Sequence, residues 1–494
     1  MSWVDELVSM VFKSRDREFY IVASGLTTSG PAHMGTIMEL LIPYTISKAI
    51  RLHGRKAHFI FVADTMDSLD SIPAQLSNFK ELKDFIGRPL CMVMDPYGCH
   101  SSYGYHFLDE IVDMTKKLNI EFDEILTADV LYREGWYDDY ARLYYSVLND
   151  VKEVLERTSL RKLPNDWKGV VKPICGKCRR NDLTTVLAFE DDTIKYRCEF
   201  CGYEGAMNIE SHEWKLLWRL DWPSRQDFLG VDIEGGGVDH FTKGGSWDTA
   251  QAVHKLIFNK EPPIGFKFGF VLIEGKKMSK SKGIGALSEI MRILHPAVIK
   301  YFLLKHDLEE NRNLRLDPKY ILSLYDEYKS VGDGRYQNLK QLKAWEFSGG
   351  IKWRTSFSEL LVYYQIYRDW GLIKELIKDE ETVDDLVPYV EELIRAGMIP
   401  EDYDIQLKPT PPPPNMRELI SEFANLITEF MSDVEIHNTV YEVARRRGVD
   451  PSELFKSIYI TLLGKPRGPR LGKFIKILGV RRFKEIVNDV LSKI

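Results

Sequence analysis

The first half of the chain alternates short apolar runs with longer amphipathic stretches. The apolar, strand-like runs lie at residues 19–23, 58–63, 89–94, 120–126 and 227–233. The amphipathic, helix-like stretches include residues 36–52, 137–156 and 247–258. Apolar positions that recur every three to four residues predict helices, whereas short continuous apolar runs predict buried strands. This alternation predicts an α/β fold: a parallel sheet covered by helices, with ligands bound beyond the carboxyl ends of its strands.

After about residue 283 the strand-like runs end and only helical patterns remain. They cover residues 296–306, 318–330, 357–377, 383–397, 416–437 and 453–463. Residues 409–414 contain five prolines and predict a stiff connector between helices. Amphipathic helices bury their apolar faces against one another, so the sequence predicts an all-α C-terminal region.

Residues 168–210 interrupt the alternation and contain four of the six cysteines. They form two Cys-x2-Cys pairs separated by nineteen residues, namely Cys175, Cys178, Cys198 and Cys201. This spacing is typical of tetrahedral Zn²⁺ sites and predicts an inserted zinc ribbon. The alternative is a set of unrelated buried thiols. Cys91 lies in an apolar run and is predicted to be a core thiol.

A second group of potential metal ligands lies in a turn-rich segment of twelve residues. It consists of Asp95, Cys99, His100 and His106. Carboxylate, thiolate and imidazole are all acceptable zinc ligands, and four of them close a structural site. The group therefore predicts a second zinc ion. Local hydrogen bonding and helix capping are the alternative, because mixed clusters are less specific than four cysteines.

Composition and charge limit the class of protein. Of the 494 residues, 44% are hydrophobic and 28% are charged, and no run of eighteen apolar residues occurs. We expect no membrane span, no secretion signal at the start of the chain, and a cytoplasmic protein. The net charge of −6 argues against a general nucleic-acid coating protein. Residues 464–494 nevertheless carry nine Lys and Arg against two acids, which predicts phosphate contacts or, alternatively, a solvated basic helix face.

Two short motifs carry the strongest chemical signal. The first, residues 28–35, follows a strand-like run; the second, residues 277–283, follows the apolar run at 266–273. They resemble the His-x-Gly-His element and the Lys-Met-Ser-Lys-Ser loop of class I aminoacyl-tRNA synthetases. In these enzymes an amino-acid carboxylate attacks the α-phosphate of ATP and pyrophosphate leaves, so negative charge gathers on phosphate oxygens. Alone, either motif could be an ordinary surface turn.

The residue types in these motifs suit that chemistry. His33 precedes a helix whose first N–H groups offer an anion site, and Lys277 and Lys280 can grip the departing pyrophosphate. We predict these three residues to be catalytic. A glycine-rich loop ending in Asp239 can lie under a ribose, although a simple β-turn is the alternative. The predicted ATP-binding residues are Thr28, Gly30, Gly35, Thr36, Gly237, Asp239, Met278, Ser279 and Lys280.

The whole chain resembles the class I lysyl-tRNA synthetases, most closely at residues 24–35, 235–246 and 277–283. The resemblance implies a Rossmann-like catalytic domain that joins L-lysine to tRNA(Lys), using ATP with Mg²⁺. It also implies a domain order, which is similar in glutamyl-tRNA synthetases. The domains are the first catalytic half (1–167), the zinc-ribbon acceptor-stem region (168–210), the second catalytic half (211–286), the stem-contact helices (287–345) and the α-helical anticodon-binding domain (346–494).

The sequence departs from the family pattern at two positions. Thr36 replaces the second histidine of His-x-Gly-His, and Thr28 stands where proline often precedes Ser-Gly. A threonine hydroxyl can still donate a hydrogen bond. The departures therefore bear only on the detailed nucleotide contacts.

A lysine pocket needs a carboxylate, because a buried ammonium without a partner is very costly. We predict Asp64, at the end of a strand-like run, for this role, with helix capping as its alternative. Asp67 is a weaker candidate, and Trp218 is more often a core residue. The predicted lysine-binding residues are Gly25, Thr27, Asp64 and His240.

Other functions remain open at this stage. A class I synthetase for glutamate, methionine or cysteine fits the motifs, although glutamate would require Arg or Lys near Asp64. A nucleotidylyltransferase would not need the zinc ribbon or the helical third. A tRNA-binding paralogue without activity is disfavoured by the intact second motif.

Overall fold

The computed structural model describes residues 2–277 and 286–493, which form two compact units. The N-terminal unit comprises Met1–Met291, Ile299–Leu314 and Gln337–Gly349. The C-terminal unit comprises Arg292–Val298, Arg315–Tyr336 and Gly350–Ile494. Every helix within the described ranges is too short or too polar to cross a lipid bilayer.

The strands belong to the N-terminal unit. They are β1 (Phe19–Thr27), β2 (Lys56–Asp64), β3 (Glu124–Thr127), β4 (Val171–Pro173), β5 (Thr184–Glu190), β6 (Thr193–Cys198), β7 (Glu204–Asn208), β8 (Trp214–Leu216), β9 (Ile233–Gly237), β10 (Ile264–Phe268), β11 (Val271–Ile273), β12 (Lys276–Lys277) and β13 (Arg312–Leu314). A small sheet has the order β12-β11-β13.

A parallel five-stranded sheet with the order β10-β9-β1-β2-β3 forms the centre of this unit. Strands β1 and β2 pair along their whole length, with Thr27 opposite Asp64 at their carboxyl ends. The apolar centres of both strands are buried, as expected for parallel strands covered by helices. The predicted α/β class is confirmed, and the register brings Thr27 beside Asp64.

Helices alternate with these strands along the chain and follow them up to residue 348. They are α1 (Trp3–Ser14), α2 (Met34–Leu52), α3 (Tyr103–Lys117), α4 (Ala128–Arg133), α5 (Asp138–Ser146), α6 (Leu148–Ser159), α7 (Trp218–Phe228), α8 (Ser246–Leu256), α9 (Leu287–Ile293), α10 (Pro296–Leu304), α11 (Pro318–Gly332) and α12 (Leu339–Ser348). Helix α2 connects β1 to β2, so its first turn lies at the carboxyl end of β1.

Two of the predicted strands are wrong. Residues 89–94 contain a short 3₁₀ helix, Leu90–Met92, and Leu90 and Val93 pack with Tyr103 and Phe107 in a small separate core. Residues 227–233 contain the last residues of helix α7 and a turn, and strand β9 begins only at Ile233. A short apolar run does not by itself distinguish a strand from a helix end.

Glycine in β9 permits close packing, since a Cβ on Gly235 would lie 2.2 Å from the Phe266 ring.

The cysteine-containing segment forms two small antiparallel sheets. Strands β5, β6 and β7 make a three-stranded sheet, and β4 pairs with β8. Cys175 and Cys178 follow β4, Cys198 ends β6, and Cys201 lies in the turn before β7. The turns therefore bring the two Cys-x2-Cys pairs together.

The C-terminal unit is helical in its described residues. After α11 it contains α13 (Phe357–Tyr367), α14 (Trp370–Ile377), α15 (Glu380–Arg395), α16 (Arg417–Leu426), α17 (Asp433–Arg446), α18 (Pro451–Leu463), α19 (Leu471–Leu478) and α20 (Val480–Ser492). The predicted helix at 416–437 is in fact two helices, because Ser432 and Glu435 form a capping box that starts α17. Apolar side chains of α16 to α20 share one core, as the amphipathic pattern predicts.

Candidate active site

A cavity of about 370 Å³ lies at the carboxyl ends of β1 and β2. Six residues predicted from the sequence line it: Gly25, Thr27, His33, Thr36, Asp64 and His240. Leu26, Glu39, Asp67, Trp218 and Arg225 complete its wall. The cavity thus lies where a parallel sheet of this type binds ligands.

The first turn of α2 is built by a reciprocal contact between His33 and Thr36. The Thr36 backbone N–H donates to His33 Nδ1 over 3.0 Å, and Thr36 Oγ1 accepts from the His33 backbone N–H over 3.3 Å. With Nδ1 accepting, the proton of the neutral imidazole is on Nε2. Thr36, at the position of the missing second histidine, therefore fixes the orientation of the His33 ring.

Helix α3 holds the loop that precedes His33. Tyr103 Oη donates to the Ser29 carbonyl over 3.0 Å, and the Ala32 N–H donates to Glu110 Oε1 over 3.0 Å. A Cβ on Gly30 would lie 2.8 Å from the Pro73 side chain, so this position has no space for a larger residue. The backbone at the cavity mouth is thus held from both sides.

The predicted ATP-binding residues do not all reach the cavity. The Thr28 side chain is fully buried, and its hydroxyl has no hydrogen-bond partner among the described residues. Gly237 ends β9, with Asp239 in the following turn. A smaller hollow of about 30 Å³ shares Gly25, Glu39 and His240 with the main cavity.

The second motif lies largely outside the described residues. Met278, Ser279 and Lys280 are not described, nor is the side chain of Lys277, whose backbone pairs with β11. The chain is described again at Ala286, which forms an antiparallel bridge with His33. The described residue that follows the second motif therefore contacts the residue that caps α2.

Asp64, the last residue of β2, and Asp67 share one cation. Lys215 Nζ lies 2.5 Å from Asp64 Oδ2 and 2.5 Å from Asp67 Oδ1. Burial raises the pKa of Asp64 to about 6, and the neighbouring Asp67 adds to this rise. Burial opposes ionisation of Asp67 as well, but the Lys215 ammonium lowers its pKa below the usual value. Asp64 also accepts from the Met66 and Asp67 N–H groups, but these contacts belong to a turn in which no helix begins, so the helix-capping alternative is wrong.

Glu39 is a cavity carboxylate that the sequence analysis missed. It lies in α2, one turn after Thr36, and is partly buried. Burial, with a smaller contribution from Asp239, raises its pKa to about 7, and no described cation contributes to that shift. Arg225, in contrast, donates to Glu234 over 2.9 Å. Among the described residues, Glu39 is therefore the carboxylate of the cavity without a cationic partner.

Aromatic rings form the wall near His240. The imidazole centroid lies 6.3 Å from the Trp218 ring and 5.6 Å from the Trp222 ring. Burial lowers the pKa of His240, so the ring is neutral near pH 7. Its Nδ1 shares a hydrogen bond of 2.8 Å with Ser246 Oγ. Trp218 and the neutral His240 ring thus give this part of the cavity an aromatic lining.

Two groups of side chains could hold metal ions. The ligand atoms of Cys175, Cys178, Cys198 and Cys201 lie within 4.8 Å of one another, with Sγ–Sγ distances of 3.6 Å for Cys175–Cys201 and Cys178–Cys198. A tetrahedral zinc tetrathiolate has ligand separations of roughly 3.8 Å. No disulfide forms among these cysteines.

The second group has one carboxylate, one thiol and two imidazoles at similar separations. Cys99 Sγ lies 3.1 Å from His100 Nδ1 and 3.4 Å from His106 Nδ1, and the latter lies 3.2 Å from Asp95 Oδ1. His100 Nε2 contacts Asp109, a partner that would orient the ring of a metal-binding histidine. Asp95 also accepts from the backbone N–H groups of Cys99 and His100, so local hydrogen bonding and a metal site are compatible.

Comparison with known proteins identifies the family. The model of a family described as tRNA synthetases class I (K) matches residues 1–348. The chain belongs to this family of class I tRNA synthetases. The resemblance found in the sequence motifs is thereby confirmed.

Curated relatives of this synthetase match along nearly the whole chain. The lysine–tRNA ligase of Pyrococcus horikoshii is 31% identical, over 96% of this chain and 97% of the relative. The lysine–tRNA ligase of Methanocaldococcus jannaschii is 30% identical, over 98% and 99%. A glutamate–tRNA ligase structure from Elizabethkingia meningosepticum has a TM-score of 0.42 and 11% identity, over 96% and 99%, which is too weak to support an inference.

Proposed function

We propose that this synthetase attaches L-lysine to tRNA(Lys). The lysine carboxylate attacks the α-phosphate of ATP, pyrophosphate leaves, and a ribose hydroxyl of the tRNA then displaces AMP from the lysyl-adenylate. The observation that carries the proposal is the Glu39 carboxylate, which lacks a cationic partner among the described residues in a cavity lined by His33 of the first motif. The lysine–tRNA ligase relatives support the same amino acid.

The cavity wall supports a defined orientation of lysine. We place the side-chain ammonium at Glu39, because a cation there needs an ionic partner. The methylene chain then packs against Trp218 and the neutral His240 ring. Asp64, predicted from the sequence for the ammonium, is already paired with Lys215, so the geometry favours Glu39 over it. Gly25 and Thr27 remain candidates for the α-amino and carboxylate groups.

The nucleotide belongs at the first turn of α2. The N–H groups of Met34 and Gly35 and the Nε2–H of His33 can donate to phosphate oxygens, and Gly35 lets the backbone approach them. We assign Lys277 and Lys280 to the departing pyrophosphate, Gly237 and Asp239 to the ribose, and Mg²⁺ to the phosphates. His33 and Ala286 are bridged, which supports joint action of the two motifs.

The direct test is ATP–pyrophosphate exchange with each amino acid, in the presence and absence of tRNA. Exchange that depends on lysine and far exceeds that with glutamate is expected. Glutamate would need an unpaired cation, but Arg225 is bound to Glu234. Exchange with glutamate and not with lysine would refute the assigned substrate.

We also propose that both ligand groups bind Zn²⁺. The donor sets and separations fit tetrahedral zinc, which would fix the turns of the ribbon and the N-terminal turn of α3. Mass spectrometry of the purified protein should find about two Zn²⁺ per chain. Cys99→Ala/His106→Ala should retain about one, and the control Cys91→Ala should retain both. One metal ion in both the wild type and the double variant would refute the mixed site.

The C-terminal basic segment is proposed to contact tRNA phosphates. In α19 and α20 the apolar residues Phe474, Ile475, Phe483 and Val487 are buried. The Arg481 side chain, in contrast, is 85% exposed, although it pairs with Glu485. One face of these two helices therefore completes the core, and the other face is exposed and available to a polyanion.

Reversing Arg481→Glu and Arg482→Glu together should weaken tRNA binding and lower the log–log salt slope by about two units, because each phosphate contact contributes about one. Binding should be titrated at several salt concentrations, with circular dichroism to verify the fold. Lys80→Glu/Lys83→Glu changes the net charge equally at exposed positions of the N-terminal unit and is the control. A folded variant with wild-type affinity and slope would exclude this surface.

A further inference from the structure

A buried lysine of the chain itself lies at the edge of the cavity. Lys215 belongs to β8, which pairs with β4 at the base of the cysteine-containing segment. Its side chain is only 3% exposed, and its ammonium contacts Asp64 and Asp67 at 2.5 Å each. A buried ammonium requires such partners, and here two carboxylates share it. These carboxylates line the cavity, so Lys215 sets the charge of one part of its wall.

The same contacts extend to a residue that faces the cavity. Asp67 uses Oδ1 for Lys215 and Oδ2 to accept from Thr27 Oγ1 over 2.6 Å. Lys215 thereby holds Asp67, and Asp67 holds the Thr27 hydroxyl. The two aspartates raise the pKa of Lys215 well above its usual value although burial alone would lower it, so the ammonium stays charged.

We propose that Lys215 is a positioning and specificity-determining residue that fills the ammonium site of Asp64 and Asp67 and so directs the substrate ammonium to Glu39. The inference rests on the proposed lysine specificity. Without Lys215 the cavity would contain two competing ammonium acceptors, and lysine would bind in unproductive orientations. Thr27 would also lose its fixed partner.

Lys215→Ala tests this directly, because n-propylammonium replaces the atoms that the substitution removes. In ATP–pyrophosphate exchange with tRNA present, the KM for lysine should rise at least about tenfold while the KM for ATP stays unchanged. Millimolar n-propylammonium should restore the KM for lysine, and 1-propanol, which has the same shape but no charge, should not. The wild type should respond to neither.

A second variant distinguishes a specific effect on lysine binding from loss of the fold. Lys215→Ala/Asp64→Asn removes one of the two unpaired carboxylates, while the amide oxygen of the introduced asparagine can still accept from the Met66 and Asp67 N–H groups. This variant should unfold at a higher temperature than Lys215→Ala and still show the raised KM for lysine. Its response to n-propylammonium should be weaker, because only Asp67 remains to bind the amine.

The results of these experiments distinguish a failure of the inference about Lys215 from a failure of the proposed function. A wild type without lysine-dependent exchange refutes the function itself. If the wild type activates lysine, an unchanged KM for lysine in both variants overturns the role of Lys215. A fall in kcat alone, with no effect of the amine, means that Lys215 is merely structural and overturns it as well.

Discussion

Glu39→Gln should lower kcat/KM for lysine by about two orders of magnitude, because the substrate ammonium would lose its ionic partner in a site where water replaces it poorly. Glutamine has nearly the same size as glutamate, so the cavity keeps its shape and the KM for ATP should hardly change. Steady-state ATP–pyrophosphate exchange at varied lysine concentration measures the effect. Glu81→Gln, at an exposed position, is the matched control. A KM for lysine close to that of the wild type would exclude Glu39 as the ammonium acceptor.

The same carboxylate predicts a pH dependence. Burial raises the pKa of Glu39 to about 7, so the group is protonated and neutral below that pH. Because only the ionised form attracts an ammonium, the KM for lysine should fall as the pH rises from 6 to 8. The dependence should be absent in Glu39→Gln, which cannot ionise.

Lys280→Ala should slow adenylate formation by about two to three orders of magnitude while ATP binding weakens little. The lysine charge acts on the departing pyrophosphate, whose negative charge grows in the transition state, so its loss raises the barrier more than it weakens the ground state. Single-turnover measurement of adenylate formation isolates this step. Lys282→Ala removes an equal charge two residues later and should be far milder. A normal single-turnover rate in Lys280→Ala would refute the assignment.

The local sequence was sufficient to predict the sheet, the cysteine cluster and the position of the cavity. The alternation of apolar runs and amphipathic stretches predicted the parallel sheet, because burial between helices leaves a pattern within each segment. The spacing of Cys175, Cys178, Cys198 and Cys201 predicted their convergence, since a metal-binding turn needs only a few residues. The motif around His33 likewise predicted the end of the sheet where the cavity lies. Short apolar runs such as residues 89–94 failed, because their length does not distinguish a strand from a helical turn.

The partners inside the cavity were decided only by the tertiary structure. Glu39 lies in the second turn of a mostly apolar helix, where no sequence pattern indicates that its carboxylate faces a cavity. The sequence alone made Asp64 a candidate for the substrate ammonium. In the folded protein β8 lies near the end of β2, so Lys215, 151 residues later, pairs with Asp64. Neither residue has a local pattern that reveals the other, because an ion pair depends on the distance between atoms and not on their separation along the chain. The sequence therefore determined the fold class and the family motifs, whereas the packing of distant segments decided which carboxylate is available to a lysine.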